Sequence, residues 1–259
     1  MTEELLIERD GPIVTLVLNR PAKLNAMTRP LWRALGTAIE SLGRDPEVRC
    51  IVLRGAGDKA FSPGNDISEF ETERSNREQA REYGRLMHAT IRALRETDVP
   101  TVALIKGVCV GGGLEIAGCC DLRICGESSR FGAPIKNLGL VMAHAELDAL
   151  RRLAGRAATL ELLLEGRIIG AREALEKGLV TRVVPDAEVE SEAYAAARRI
   201  AEGAPLVARW HKRFLRRLEE GTPLSPEEID EGFACFDTED FREGYKAFLE
   251  KRKPEFKGR

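Results

Sequence analysis

The sequence predicts an α/β domain followed by a helical carboxy-terminal region, and three observations carry that reading. Short apolar runs of strand length alternate with amphipathic helical patterns through the first half of the chain. The second half repeats the helical pattern almost without interruption. No low-complexity linker and no internal repeat divides the 259 residues, which fit a core over residues 1–195 and a helical part over 196–259.

Leu5 to Arg9 and Ile13 to Leu18 read as strands joined by the turn Asp10-Gly11-Pro12, a hairpin. Leu31, Leu35, Ala38, Ile39 and Leu42 recur at helical spacing behind Thr28, whose hydroxyl suits a helix cap. Val48 to Leu53 and Val99 to Ile105 read as buried strands, and Leu122 to Cys125 as another. Gly55 to Asn65 reads as a loop, and the charged stretch Glu69 to Glu82 as a solvated loop or helix edge. Helical spacing returns over Tyr83 to Leu94, and a short apolar helix is expected over Leu114 to Cys120. Beyond it helices are predicted over Ala145–Leu153, Ala158–Leu164, Ala171–Lys177, Ala187–Ala201, Leu206–Leu218, Pro226–Phe236 and Thr238–Arg252, punctuated by Pro205, Pro223 and Pro226.

Composition narrows the function classes. Apolar residues make up 43% and charged residues 32%, the balance of a chain that can bury a core. A net charge of −2 with both signs interleaved argues against a nucleic-acid surface, which needs a basic face. No apolar run has membrane-spanning length. The start, Met1-Thr2-Glu3-Glu4, has neither the basic nor the apolar part of a secretory signal, so a cytoplasmic protein is expected. The six cysteines show no C-x-x-C spacing, and five lie in apolar stretches. Buried thiols in a reducing compartment are expected, with no disulfide and no metal site.

Two glycine-bearing turns follow predicted buried strands: Phe61-Ser62-Pro63-Gly64-Asn65-Asp66-Ile67 and Gly107-Val108-Cys109-Val110-Gly111-Gly112-Gly113-Leu114-Glu115. Such a turn lets a ligand approach the backbone and points free N–H groups at it, where developing negative charge is favoured. A triple glycine alone equally fits a tight packing turn. Dinucleotide and phosphate-loop patterns are both absent. Glu115 adds weight, as the only charged residue between Val108 and Cys120. A carboxylate there is costly without a partner or a task. Gly112 and Glu115 are one helical turn apart, so an amide donor and a carboxylate can face one cavity. The plain alternative is that Glu115 pairs with backbone or with Arg123.

Taken in order, these segments resemble the enoyl-CoA hydratase/isomerase superfamily, the crotonases. The resemblance also covers Asn19-Arg20-Pro21…Leu24-Asn25-Ala26-Met27, Cys120-Asp121-Leu122-Arg123, Phe131-Gly132-Ala133-Pro134…Leu138-Gly139-Leu140, and the ending from Phe241-Arg242-Glu243-Gly244 to Lys253-Pro254. It implies a crotonase-like spiral of β-β-α units assembled as a homotrimer or dimer of trimers. Coenzyme A enters as part of an acyl-CoA thioester substrate, with no separate cofactor. The oxyanion donors carry over to the backbone N–H groups of Asn65 and Gly112, and the acid/base carboxylate to Glu115. Lys23, Leu24 and Ala26 fall where the family contacts the CoA nucleotide, and Phe248 and Lys251 where the last helix does. Pro63, Asp66, Ile67, Gly111 and Ile135 fall around the bound thioester, with Asp66 expected to brace its own loop.

The sequence departs from the hydratase pattern in two places. Hydratases of the family use two glutamates, and the position of the second, after Pro134, is Ile135. An isoleucine cannot move a proton, so hydration, double-bond migration and decarboxylation all stay open, beside a catalytically weak acyl-CoA-binding protein that keeps the fold and the CoA site. The usual Pro-Gly-Ala-Gly-Gly is replaced by Met142-Ala143-His144-Ala145-Glu146. His144 is taken as a further catalytic candidate, since an imidazole beside the acyl site suits proton transfer. Glu146 is read as a helix-start residue complementing the dipole. His88 and His211 are read as packing or surface residues.

Overall fold

A computed structural model describes residues 3–259. The strands are β1 (Leu5–Asp10), β2 (Ile13–Leu18), β3 (Cys50–Gly55), β4 (Ala60–Ser62), β5 (Thr101–Ile105), β6 (Val108–Val110), β7 (Leu122–Gly126), β8 (Arg130–Gly132), β9 (Ile169–Gly170) and β10 (Arg182–Val184). The helices are α1 (Arg29–Gly43), α2 (Phe70–Glu73), α3 (Arg77–Glu96), α4 (Gly112–Cys119), α5 (His144–Glu165), α6 (Ala171–Glu176), α7 (Val189–Ala201), α8 (Pro205–Leu218), α9 (Pro226–Glu231) and α10 (Glu239–Leu249).

A six-stranded sheet runs β1-β2-β3-β5-β7-β10, parallel except for the β1–β2 hairpin. A four-stranded sheet runs β4-β6-β8-β9, with only β8–β9 antiparallel. The chain alternates between them. It places one strand in the large sheet, the next in the small one, and then crosses over by a helix: β3-β4-α3, β5-β6-α4, β7-β8-α5. Each such turn is one β-β-α unit of a spiral.

The inner strands β2, β3, β5 and β7 of the large sheet are buried on both faces, which is why they read as continuous apolar runs. On one face Leu16, Leu18, Ile51, Leu53 and Ala103 join α1, α3 and the small sheet in the main core around Trp32, Phe61, Tyr83 and Phe131. On the other face Ile13, Val52, Val102, Leu104 and Ile124 pack on Val189, Ala193, Ala196 and Ala197 of α7. The predicted boundary at residue 195 therefore falls inside a helix that belongs to the core, and the outlying helices begin with α8.

The hairpin and the α1 cap match the sequence reading; Thr28 accepts the N–H of Leu31 at 3.2 Å. The small sheet and β10 do not, because strands of two or three residues carry no periodicity; β4 and β6 sit in segments read as loop and turn. The charged stretch after Ile67 contains α2 and the first turns of α3, the latter capped by Asn76 at the N–H groups of Glu78 and Gln79. The two helices expected over 145–164 are one span broken at Gly155, where φ is +72° and ψ 170°. No helix among the described residues is long and apolar enough to cross a membrane. All six cysteines are free, and burial pushes the thiols of Cys50, Cys119, Cys120 and Cys125 up to about 12.

Candidate active site

Two chain segments converge above the small sheet. After β4 the backbone crosses Met27 as a short parallel bridge, in which Gly64 O accepts from Met27 N at 2.8 Å and Asp66 N donates to Met27 O at 2.9 Å. Asn65 lies between these two bonds, so its own N–H points to the opposite side. The second segment is the start of α4. Gly111 N donates to Gly132 O at 2.9 Å, and Glu115 N donates to Gly111 O at 3.1 Å, which leaves Gly112 N in the first helical turn without an intrahelical acceptor. Neither Asn65 N–H nor Gly112 N–H donates to another group among the described residues.

The two segments touch. A Cβ built on Gly64 would lie 2.5 Å from Gly112 N, and one built on Gly112 would lie 3.6 Å from Asn65 N. At Gly113 a Cβ would meet Ser62 O at 2.1 Å, so α4 can seat against β4 only through glycine. The Asn65 side chain is fixed by Trp32, whose Nε1 donates to Oδ1 at 2.7 Å. Asp66 braces the loop as expected, accepting from Ser68 N and Oγ at 3.1 and 2.7 Å and from Arg20 at 2.9 Å. The Ser68 hydroxyl and then Arg20 hold its carboxyl below the usual carboxylate range.

Both amides border a cavity of about 480 Å³. Its walls include Lys23, Ala26, Pro63, Asp66, Ile67, Gly111 and Ile135 from the predicted set, with apolar surface from Phe70, Met87, Leu138, Leu140 and Val141. Glu115 projects into it, 7% exposed, and its Oε2 has no hydrogen-bond partner among the described residues. The alternative pairing with Arg123 is absent: that guanidinium instead donates to Cys120 O. Burial, reinforced by the nearby charge of Glu146 and opposed by Arg74, raises the Glu115 carboxyl from 4.5 to about 8. A carboxyl so shifted holds its proton at neutral pH.

This shift predicts a stability signature. Between pH 4.5 and about 8 the unfolded chain releases the Glu115 proton while the folded chain keeps it, so stability falls as pH rises through that window. Glu115→Gln removes the term. The melting temperature of that variant minus that of the unsubstituted protein should grow from pH 5 to pH 8, at about 2–4 °C per kcal/mol for a chain of this size. A difference that stays flat across the window, followed by calorimetry, contradicts the raised value.

Four of the predicted residues lie away from the cavity. Leu24 is 40% exposed and sits outside the lining, Phe248 lies at the exposed end of α10, and Lys251 is exposed two residues beyond it. His144 is exposed at the first position of α5 and does not reach the cavity either. Glu146, two residues on, does. Its Oε2 accepts from Ala143 N at 2.9 Å, the helix-start contact read from the sequence, while Oε1 lies 2.7 Å from His88 Nε2. Sequence reasoning missed that second contact and, with it, His88, Arg74 and Met87. His88 and Glu146 are 58 residues apart, and no local spacing announces such a pair. No cluster of His, Cys, Asp and Glu able to hold a metal ion is found among the described residues.

The enoyl-CoA hydratase/isomerase family model matches residues 8–259. A short-chain-enoyl-CoA hydratase of Clostridium acetobutylicum is 35% identical over 98% of both chains, and a crotonyl-CoA hydratase of Syntrophomonas wolfei is 33% identical over 98% of both. Among solved structures, an enoyl-CoA hydratase/carnithine racemase from Magnetospirillum magneticum superposes with a TM-score of 0.98 at 48% identity, covering 100% of this chain and 97% of that one. The spiral of β-β-α units is therefore the crotonase fold, and the chain belongs to the enoyl-CoA hydratase/isomerase family.

Proposed function

We propose that the protein catalyses the reversible addition of water across the C2–C3 double bond of a 2-enoyl-CoA thioester. The observation that carries this reading is the convergence on one cavity of two unpaired backbone amides and a buried, partly unpartnered carboxyl. Addition at C3 drives charge onto the thioester oxygen, forming an enolate. Fixed N–H donors from Asn65 and Gly112 stabilise that charge, each worth about 3 kcal/mol of barrier in comparable sites. Glu115 then supplies the proton at C2, and its neutral form at pH 7 suits the donor role. The hydratase names of the relatives agree with this chemistry.

In this reading coenzyme A is part of the substrate. Its nucleotide lies near Lys23, Leu24 and Ala26, and Phe248 and Lys251 reach it from a neighbouring subunit of a trimer or dimer of trimers. The exposed Phe233, Phe236, Phe248 and Leu249 suit such an assembly. His144 has no part in the scheme. Ile135 favours a second reading, double-bond migration, because Glu115 alone can carry a proton between carbons.

A product-resolved assay with crotonyl-CoA in oxygen-18 water separates the two. The proposal expects 3-hydroxybutyryl-CoA labelled at C3. Migration without hydration across a panel of enoyl-CoA chain lengths contradicts it.

A further inference from the structure

Water addition moves two protons. One leaves the attacking water as its oxygen bonds to C3, and another arrives at C2. The Glu115 carboxyl, neutral at the start, serves C2 and cannot at the same moment accept the proton from water. Ile135, facing the same cavity, has no acceptor to offer. One further carboxylate lines this cavity without an arginine or lysine ion pair: Glu146.

We propose that Glu146 is the second acid/base group of the site, taking the proton of the attacking water, and that His88 is the residue that positions it. This inference rests on the hydration reading above. A helix cap needs only one carboxylate oxygen, and Glu146 spends Oε2 on Ala143 N. Nothing about capping requires the side chain to be 9% exposed and to share a cavity with a second acid. The other oxygen is held by His88 Nε2 from α3, so the carboxyl is fixed from two elements and cannot rotate out of the cavity.

The steps balance. The water oxygen bonds to C3 as its O–H bond breaks, and that proton goes to Glu146. The C2–C3 π electrons pass into the enolate, whose oxygen accepts from Asn65 and Gly112. The enolate collapses by taking the Glu115 proton at C2. The enzyme is left with a neutral Glu146 and an ionised Glu115. When product leaves, water entering the cavity takes the proton from Glu146 and returns one to Glu115.

Two half-reactions separate Glu146 from Glu115. Exchange of the C2 protons of butyryl-CoA with deuterium oxide needs only Glu115 and the two amides, whereas hydration of crotonyl-CoA needs Glu146 as well. Glu146→Gln can still accept from Ala143 N. It is expected to lower hydration by about 10²-fold or more and exchange by less than about five-fold. His88→Ala, which leaves Glu146 and its cap in place, should show the same split at about ten-fold, with partial recovery in His88→Gln. That pair carries the test if the glutamine variant loses its circular-dichroism signature. Hydration in Glu146→Gln within about three-fold of the unsubstituted enzyme overturns the inference, as does an equal loss of both half-reactions in a folded variant. An unsubstituted enzyme that exchanges C2 protons but hydrates no enoyl-CoA overturns the hydration reading itself, and the role of Glu146 falls with it.

Discussion

Glu115→Gln is expected to lower crotonyl-CoA hydration by about 10³-fold, near the middle of the range for loss of a positioned acid or base. Acyl-CoA affinity should stay within several-fold. The substitution is nearly isosteric, and the carboxyl has an unpartnered Oε2 in a cavity whose remaining walls, from Phe70 to Val141, are untouched. An amide in that place can donate a hydrogen bond but cannot deliver a proton to C2. Because Glu115 is buried and its charge is opposed by Glu146, the same change removes an electrostatic burden, and the variant should melt no lower than the unsubstituted protein. Turnover and titration calorimetry on one preparation decide the matter. Hydration within about ten-fold of the original assigns the proton to another group.

Gly64→Ala is expected to have the second largest effect, and for a different reason. Gly64 adopts φ +92°, a conformation that side-chain-bearing residues seldom occupy, and its Cβ would lie 2.5 Å from Gly112 N and 3.3 Å from Val110 O. Those atoms belong to backbone, so relief requires the Asn65 loop and the start of α4 to separate. Strain of this kind costs about 1–3 kcal/mol. The damage to chemistry should be larger than the damage to stability, because the two amides cease to converge on one oxygen. Loss of one such donor lowers turnover by about 10²–10³-fold. The variant should fold, melt several degrees lower, and lose turnover far beyond what its melting temperature explains. Full activity in a folded Gly64→Ala protein would place the oxyanion elsewhere.

The same contrast explains what the sequence discloses. The inner strands of the large sheet are legible because they are buried on both faces and read as unbroken apolar runs, Ile13–Leu18 and Cys50–Leu53 among them, whereas β10, three residues long and half-buried, is not. The turns of the site are legible because close approach leaves a chemical trace: Gly64 and Gly113 stand where a Cβ would strike Gly112 N and Ser62 O. Glu115 stands out as a lone charge in an apolar helix. The small sheet leaves no such trace, since β4, β6 and β8 are three residues each and owe their existence to neighbours far away in the chain. Glu146 is the instructive case. Its local reading as a helix-start residue is correct as far as Ala143 N, and the contact with His88 arises only when α3 and α5 pack beside α4. His144, the neighbour with the more suggestive side chain, points to solvent instead.

Amides of Asn65 and Gly112 that form an oxyanion hole polarise the carbonyl of a thioester set beside Glu115, and that polarisation is open to measurement. The infrared carbonyl stretch of crotonyl-CoA labelled with carbon-13 at C1, bound to the Glu115→Gln protein so that no turnover intervenes, tests it most directly. The bound carbonyl should stretch at lower frequency than that of the free thioester, with a smaller shift when Gly64→Ala is added. A bound carbonyl that vibrates at the frequency of the free thioester would contradict it.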